Sequence, residues 1–213
     1  MRPIGSKSFI ALLIGALFLP AAFAADQPVQ AIWKRQEIDF FYQSFTTFYT
    51  CDGLEDRVET LLRAVGAKDV KAIATGCFGN APSRTPHVKL VAKTPMEATP
   101  EALAELEKDK TKRELKARVR GERPDEVTAQ FPATWKPVNL SVGKFGIDSA
   151  ECELIDELNR KVFPKMSVRV VKSDIRCTPH QANFSQPRLQ VEALTALPKP
   201  DDKKPDEKKE EKG

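Results

Sequence analysis

The chain has 213 residues, 34 Lys plus Arg against 30 Asp plus Glu, 41% hydrophobic residues and four Cys. Its net charge of +4 falls to +2 between residues 25 and 197, because two cations precede that stretch and the tail after it is neutral. So small an excess excludes a strongly electrostatic partner such as nucleic acid, and the length suits one domain or two small, closely packed ones.

Residues 1–24, MRPIGSKSFIALLIGALFLPAAFA, read as a secretory signal peptide. Arg2 and Lys7 form its basic start, an apolar run of about ten residues follows, and Ala22-Phe23-Ala24 supplies the small cleavage positions. That run is too short to span a bilayer, and no later stretch is long and apolar enough to act as a stable transmembrane anchor. The chain is therefore expected to be periplasmic or secreted.

After a lead-in over 25–37, IDFFYQSFTTFY (38–49) reads as a strand, being rich in aromatic and β-branched residues. Phe40, Tyr42 and Phe48 share one parity, and Phe41, Phe45 and Tyr49 the other. Both faces are thus apolar, as in a central strand covered on two sides, at a bulge, or on a face that pairs with a second copy of the chain. Leu54, Val58, Leu61 and Leu62 then fall on one stripe of a helix that should end near Gly66. A strand over Val70 to Thr75 follows, and Val88, Leu90 and Ala92 alternate in another.

Residues 94–134 form a charged helical linker, with Thr99 as N-cap and Pro100 in the first turn. Leu103, Leu106, Leu115 and Val119 give it only a thin apolar stripe, the pattern of a solvated connecting helix. Beyond it the earlier order returns. Val138, Leu140 and Val142 alternate as a strand, and Leu154, Ile155, Leu158, Val162 and Phe163 mark a helix that should stop before Pro164. Ser167 to Ile175 reads as a strand, and so does the run through Leu189, Val191 and Ala193. The tail, 198–213, has six Lys against six acidic residues and no large apolar side chain, a composition expected to stay disordered.

The recurrence has a fixed spacing. Cys51 and Cys152 are 101 residues apart, Cys77 and Cys177 are 100 apart, and Pro86 and Pro187 are 101 apart. The expected fold is α+β: two similar βαββ halves (38–93 and 135–197) with mixed sheet or sheets, helices packed on one face, and the charged helix connecting them. If the first two strands of each half run parallel around a crossover helix, they end on one edge of the sheet. That places Cys51 beside Cys77, and Cys152 beside Cys177, at disulfide separation. An oxidising compartment sustains such bonds, and a half of about 60 residues has a core small enough to need them.

The loops after Cys77 and Cys177 should share a rim with the disulfides. Their polar residues, Asn80, Arg84, His87, His180, Gln181 and Asn183, form a candidate binding rim. Cys177-Thr178-Pro179-His180 has the spacing of a metal pair, with His87 following the matching cysteine, but four convergent ligands are needed and disulfides take the sulfurs first. No metal or other cofactor is expected. No C-x-x-C, H-E-x-x-H, G-x-S-x-G or phosphate-binding glycine loop occurs, so nothing indicates an enzyme. The acidic pairs Glu55/Asp56 and Asp156/Glu157 read as solvated helix faces.

The strings FYTCDGLEDRVETLLRAVGAKDV, CELIDELNRKVFP and CTPHQ resemble a group of exported proteobacterial proteins of uncharacterised activity. FFYQSF is similar to the aromatic-plus-Gln strand that opens SPOR domains, although those do not require the cysteine brackets and this chain is about twice as long. The second resemblance implies peptidoglycan as a ligand, and neither supplies site residues. The sequence thus reads as an exported, disulfide-stapled binding or interaction module of the bacterial envelope. Its partner would be an envelope protein or a cell-wall ligand, and handling of thiols or metals is the alternative.

Overall fold

The computed structural model describes residues 27–79, 81–121 and 129–198. The expected signal peptide, all but the first residue of the expected tail, and Asn80 of the candidate rim lie outside them. The elements are β1 (Val29–Phe41), α1 (Cys51–Ala64), β2 (Lys68–Thr75), β3 (His87–Glu97), α2 (Pro100–Arg120), β4 (Phe131–Ser141), α3 (Cys152–Lys161), β5 (Val168–Arg176) and β6 (Gln186–Ala196). Single 3-10 turns cover Ser149–Glu151, Phe163–Lys165 and Ala182–Phe184.

The strands form one six-stranded sheet in the order β2-β3-β1-β4-β6-β5. Every hydrogen-bonded neighbour pair is antiparallel, so the expected mixed sheet is not formed. The reason is the place of β3. It lies between β1 and β2 and pairs with both, so β1 and β2 run in the same direction without touching. β6 separates β4 from β5 in the same way. The strands that flank each helix still end on a common edge, which is the property the cysteine pairing requires.

β1 starts nine residues earlier than its composition suggests and stops at Phe41 instead of Tyr49. Its register with β3 runs unbroken from Ala31↔Glu97 to Phe41↔His87. Past Phe41 the backbone finds other partners: the amides of Phe45, Thr46 and Thr47 donate to the Glu153 carboxylate. The apolar character of both parities therefore has two causes. Phe40 and Tyr42 point into the core, whereas Phe41 and Phe45 are exposed. β4 also starts early, at Phe131, and Val142 lies beyond its end and is exposed.

α1 begins where Thr50 Oγ1 accepts from the Gly53 amide at 3.1 Å. It buries the stripe of Leu54, Val58, Leu61 and Leu62 completely. At about 1.5–3 kcal/mol for each large aliphatic side chain, this face is the main stabilising contact of the helix. Gly66 ends it with a backbone φ of +85°, and a Cβ there would come within 2.9 Å of the Leu194 carbonyl. Both the conformation and the close approach demand glycine.

Three of the four acidic side chains read as solvated, Glu55, Asp156 and Glu157, have structural partners instead, and so has Glu59. Glu55 accepts from the Ala74 amide at 2.7 Å, and Glu59 from the Ala72 amide at 3.0 Å. A four-residue helical spacing, about 6 Å along α1, matches two residues of strand, about 6.7 Å. The helix thereby satisfies donors on β2, an outermost strand of the sheet. Glu157 is buried and held by Arg160 at 2.9 Å and Lys161 at 2.6 Å. Asp156 also reaches Arg160, at 3.1 Å, from a partly exposed position.

One core joins Ile38, Phe40, Val88 and Leu90 with the buried faces of α1 and α3 and with Leu140, Leu189 and Val191. Among the described side chains α2 packs through its first turns, where Ala102, Leu103 and Leu106 meet Ile32, Met96 and Ala98. Thr99 caps it through the Ala102 amide at 3.2 Å. Farther along, Leu115 and Val119 stand exposed, in keeping with the thin stripe of the linker.

Candidate functional site

Both disulfides form as expected, Cys51–Cys77 and Cys152–Cys177, with Cα separations of 5.9 and 5.5 Å. No free cysteine remains. Four loops leave the strand ends beside them: 42–50, 76–86, 142–148 and 177–185. β1 and β4 pair only over Val29–Ala31 and Phe131–Ala133, near their starts, yet the loops at their far ends are bonded to one another.

Glu153, at the start of α3, is the principal link. Its carboxylate accepts the amides of Phe45, Thr46 and Thr47 at 3.1–3.4 Å. Thr47 Oγ1 donates to the Ala150 carbonyl at 2.6 Å, and the His180 amide donates to Thr46 Oγ1 at 2.8 Å. In the other direction Arg57 of α1 pairs with Glu151 at 2.6 Å and donates to the Phe145 carbonyl at 3.4 Å. Each helix near a disulfide thus holds the loop that leads into the other.

The candidate rim residues sit on this loop cluster, apart from His87, which opens β3 beside it, and Asn80, which is not described. Arg84 is exposed and stacks over the Phe48 ring at 5.2 Å. His87 lies 3.6 Å from Asp39, with its ring against Phe41. His180 is exposed in a left-handed conformation, φ 63°, and Gln181 and Asn183 are exposed beside it. The loop contacts through Thr46 bring the His180 segment toward the Phe45–Phe48 segment, on whose Phe48 ring Arg84 stacks. No group of three or more His, Cys, Asp or Glu side chains among the described residues could hold a metal ion.

The more telling feature is apolar. Six aromatic side chains are exposed among the described residues: Phe41, Phe45, Phe48, Phe78, Phe145 and Phe184. All lie on the four loops or at the strand end that leads into one, and Phe78 and Phe184 are 94% and 72% exposed. Phe78, Phe145 and Phe184 went unread in the sequence because isolated phenylalanines have no periodicity. A usable signal was the charge. In a chain that is 30% charged, these four loops contain only Arg84, Lys144 and Asp148. Asp148 is occupied in capping the Ala150 amide at 2.6 Å.

The other aromatic cluster is satisfied within the fold. Trp33 lies between Phe131, at 4.9 Å, and Lys68, at 4.8 Å. Trp135 is stacked under Arg169 at 3.6 Å, and its Nε1 donates to Glu97 at 2.7 Å. Phe131 and Trp135, with Val29, cover Ala31, Ala133 and Leu194, which are fully buried where β1 meets β4.

Comparison with protein-family models, curated proteins and solved structures gives no match. The reading of the site therefore rests on its own physical chemistry.

Beneath the loops lies a buried polar group. Tyr42 is fully buried and donates to the Thr47 carbonyl at 2.8 Å. Tyr49 meets it edge to face at 5.5 Å, and the buried Tyr49 hydroxyl has no hydrogen-bond partner among the described residues. Burial pushes both phenols well above the usual range, and nearby Glu151 adds to the effect. Burial likewise raises Glu151, against the opposing pull of the Asp148 amide and Arg57.

These are the chain's only two tyrosines. A phenol whose folded pKa is raised contributes stability that is complete below the unfolded value, about 10, and is lost as pH rises beyond it. The folded protein should therefore give no tyrosinate absorbance through about pH 10.5, and both phenols should ionise together with alkaline unfolding. A tyrosinate step near pH 10 with the circular dichroism unchanged would contradict this account.

Proposed function

We propose that this chain is an exported binding module of the bacterial envelope that works through its disulfide-stapled loop cluster. The carrying observation is that every exposed aromatic side chain among the described residues belongs to that cluster. Soluble surfaces tolerate scattered apolar residues, but phenylalanines collected at one end, among loops almost without charge, mark an interaction surface. Aromatic enrichment and depletion of charge are also the signature of interface centres. The two disulfides support an oxidising compartment, and no helix among the described residues is long and apolar enough to cross a membrane.

We also read the chain as two βαββ halves derived from one unit. Several features support this: the near-constant spacing of cysteines and prolines, the strand-helix-strand-strand order on both sides of α2, and the sheet order that places β3 and β6 in corresponding positions. Duplication then explains why two stapled rims are available to combine into one surface.

A photo-crosslinking amino acid at Phe78 or Phe184 in living cells tests the reading. A discrete adduct is expected from these positions and not from Ile73, which is exposed on β2. Equal labelling from all three, or none from the loops, would overturn it.

A further inference from the structure

The loop cluster has a second property. Around Phe45 and Phe48 it already uses its own backbone donors. The amides of Phe45, Thr46 and Thr47 go to Glu153, that of Ser44 to the Arg84 carbonyl and that of Ser83 to the Tyr49 carbonyl. The hydroxyls of Tyr42 and Ser44 both donate to the Thr47 carbonyl. A protein partner is normally met with free donors and acceptors, about one hydrogen bond per 100–200 Å² of interface. A surface entering the boundary between lipid headgroups and acyl chains needs the reverse, with its backbone satisfied internally.

The charges point the same way. The loops carry two cations, both beside the rings, against one carboxylate, Asp148, which is turned to capping the Ala150 amide. Arg84 stacks on Phe48, and Lys144 adjoins Phe145 in sequence. Apolar rings beside a few cations are the composition of peripheral membrane contacts.

Resting on the binding-surface reading above, we infer that the phenylalanine-bearing loops dock on an anionic lipid surface. The rings enter the headgroup boundary, and Arg84 and Lys144 lie at the level of the lipid phosphates.

The test is flotation of the disulfide-bonded protein with vesicles of phosphatidylethanolamine and phosphatidylglycerol, compared with phosphatidylcholine alone. The wild type should float with the anionic vesicles and less with the neutral ones. Phe78→Ser should weaken partitioning roughly tenfold, and Phe45→Ser/Phe78→Ser/Phe184→Ser should abolish it. Arg84→Gln with Lys144→Gln should weaken binding to anionic vesicles by about fivefold per charge, with little effect on neutral ones. Because these side chains are exposed, thermal midpoints should stay at the wild-type value, so a loss of binding cannot be a loss of fold.

Wild-type protein that remains unbound to both vesicles overturns the lipid inference, as does a triple variant that floats like the wild type. If flotation fails while crosslinking at Phe78 captures a protein or a second copy of the chain, the lipid inference falls and the binding surface stands. If both fail, both readings fall.

Discussion

A variant without either disulfide, carrying Ala at Cys51, Cys77, Cys152 and Cys177, should not hold its fold at about 37 °C. The bonds close loops with sequence separations of 26 and 25. Loop-closure entropy assigns each about 3.5 kcal/mol, or roughly 7 kcal/mol together. Domains of ordinary size are stable by only about 5–15 kcal/mol, so the pair amounts to half or more of the expected total. Removing one bond should leave a folded protein with its urea midpoint shifted by that bond's share. The two single-bond losses need not add, because both helices that begin at these cysteines feed one core. Urea unfolding of the three variants, followed by circular dichroism, decides the matter. A four-alanine protein that unfolds cooperatively near the wild-type midpoint would show that the core alone carries the fold.

The same two bonds show how far residue patterns reach. Their pairing was legible because it needs only that the strands flanking each helix run the same way, and β1 and β2 do so. The sheet type was not legible, since direction says nothing about which strand lies between them. Helix ends at Gly66 and Thr99 follow from local chemistry that is complete within a few residues. The end of β1 is different. Nothing near Phe45 indicates that its amide partner sits 108 residues away on Glu153. Glu157 was misread for a related reason: an acidic residue on a charged helix looks solvated until tertiary packing turns it inward beside Arg160 and Lys161. Part of the polar rim was visible as loop composition, whereas Phe78, Phe145 and Phe184 on the same loops gave no pattern at all. Their significance appears only when the fold gathers the loops together.

Replacement of Glu153 with Ala should destabilise the protein by about 3 kcal/mol, more than loss of any single exposed charge in the chain. Its carboxylate accepts three consecutive backbone amides, and the side chain is buried at the junction of two loops. Hydrogen bonds to a charged acceptor contribute about 1.5–3 kcal/mol each when well formed, and these are of moderate length. Removing the acceptor deprives three backbone donors of their partner at once. Glu153→Gln should recover only part of the loss, because one carbonyl oxygen remains while the amide nitrogen turns a donor toward donors. Hydrogen exchange gives a residue-level check: the amides of residues 45–47 should lose protection in both variants, while those of β3 and β6 keep theirs. The functional consequence follows from position. Neither variant removes a phenylalanine, yet both free the segment that carries Phe45 and Phe48, so vesicle partitioning should weaken while Phe78 and Arg84 remain intact. Wild-type stability and unchanged exchange at 45–47 in Glu153→Ala would mean that the loops are held by the threonine contacts at Ala150 and His180, and that the carboxylate is incidental.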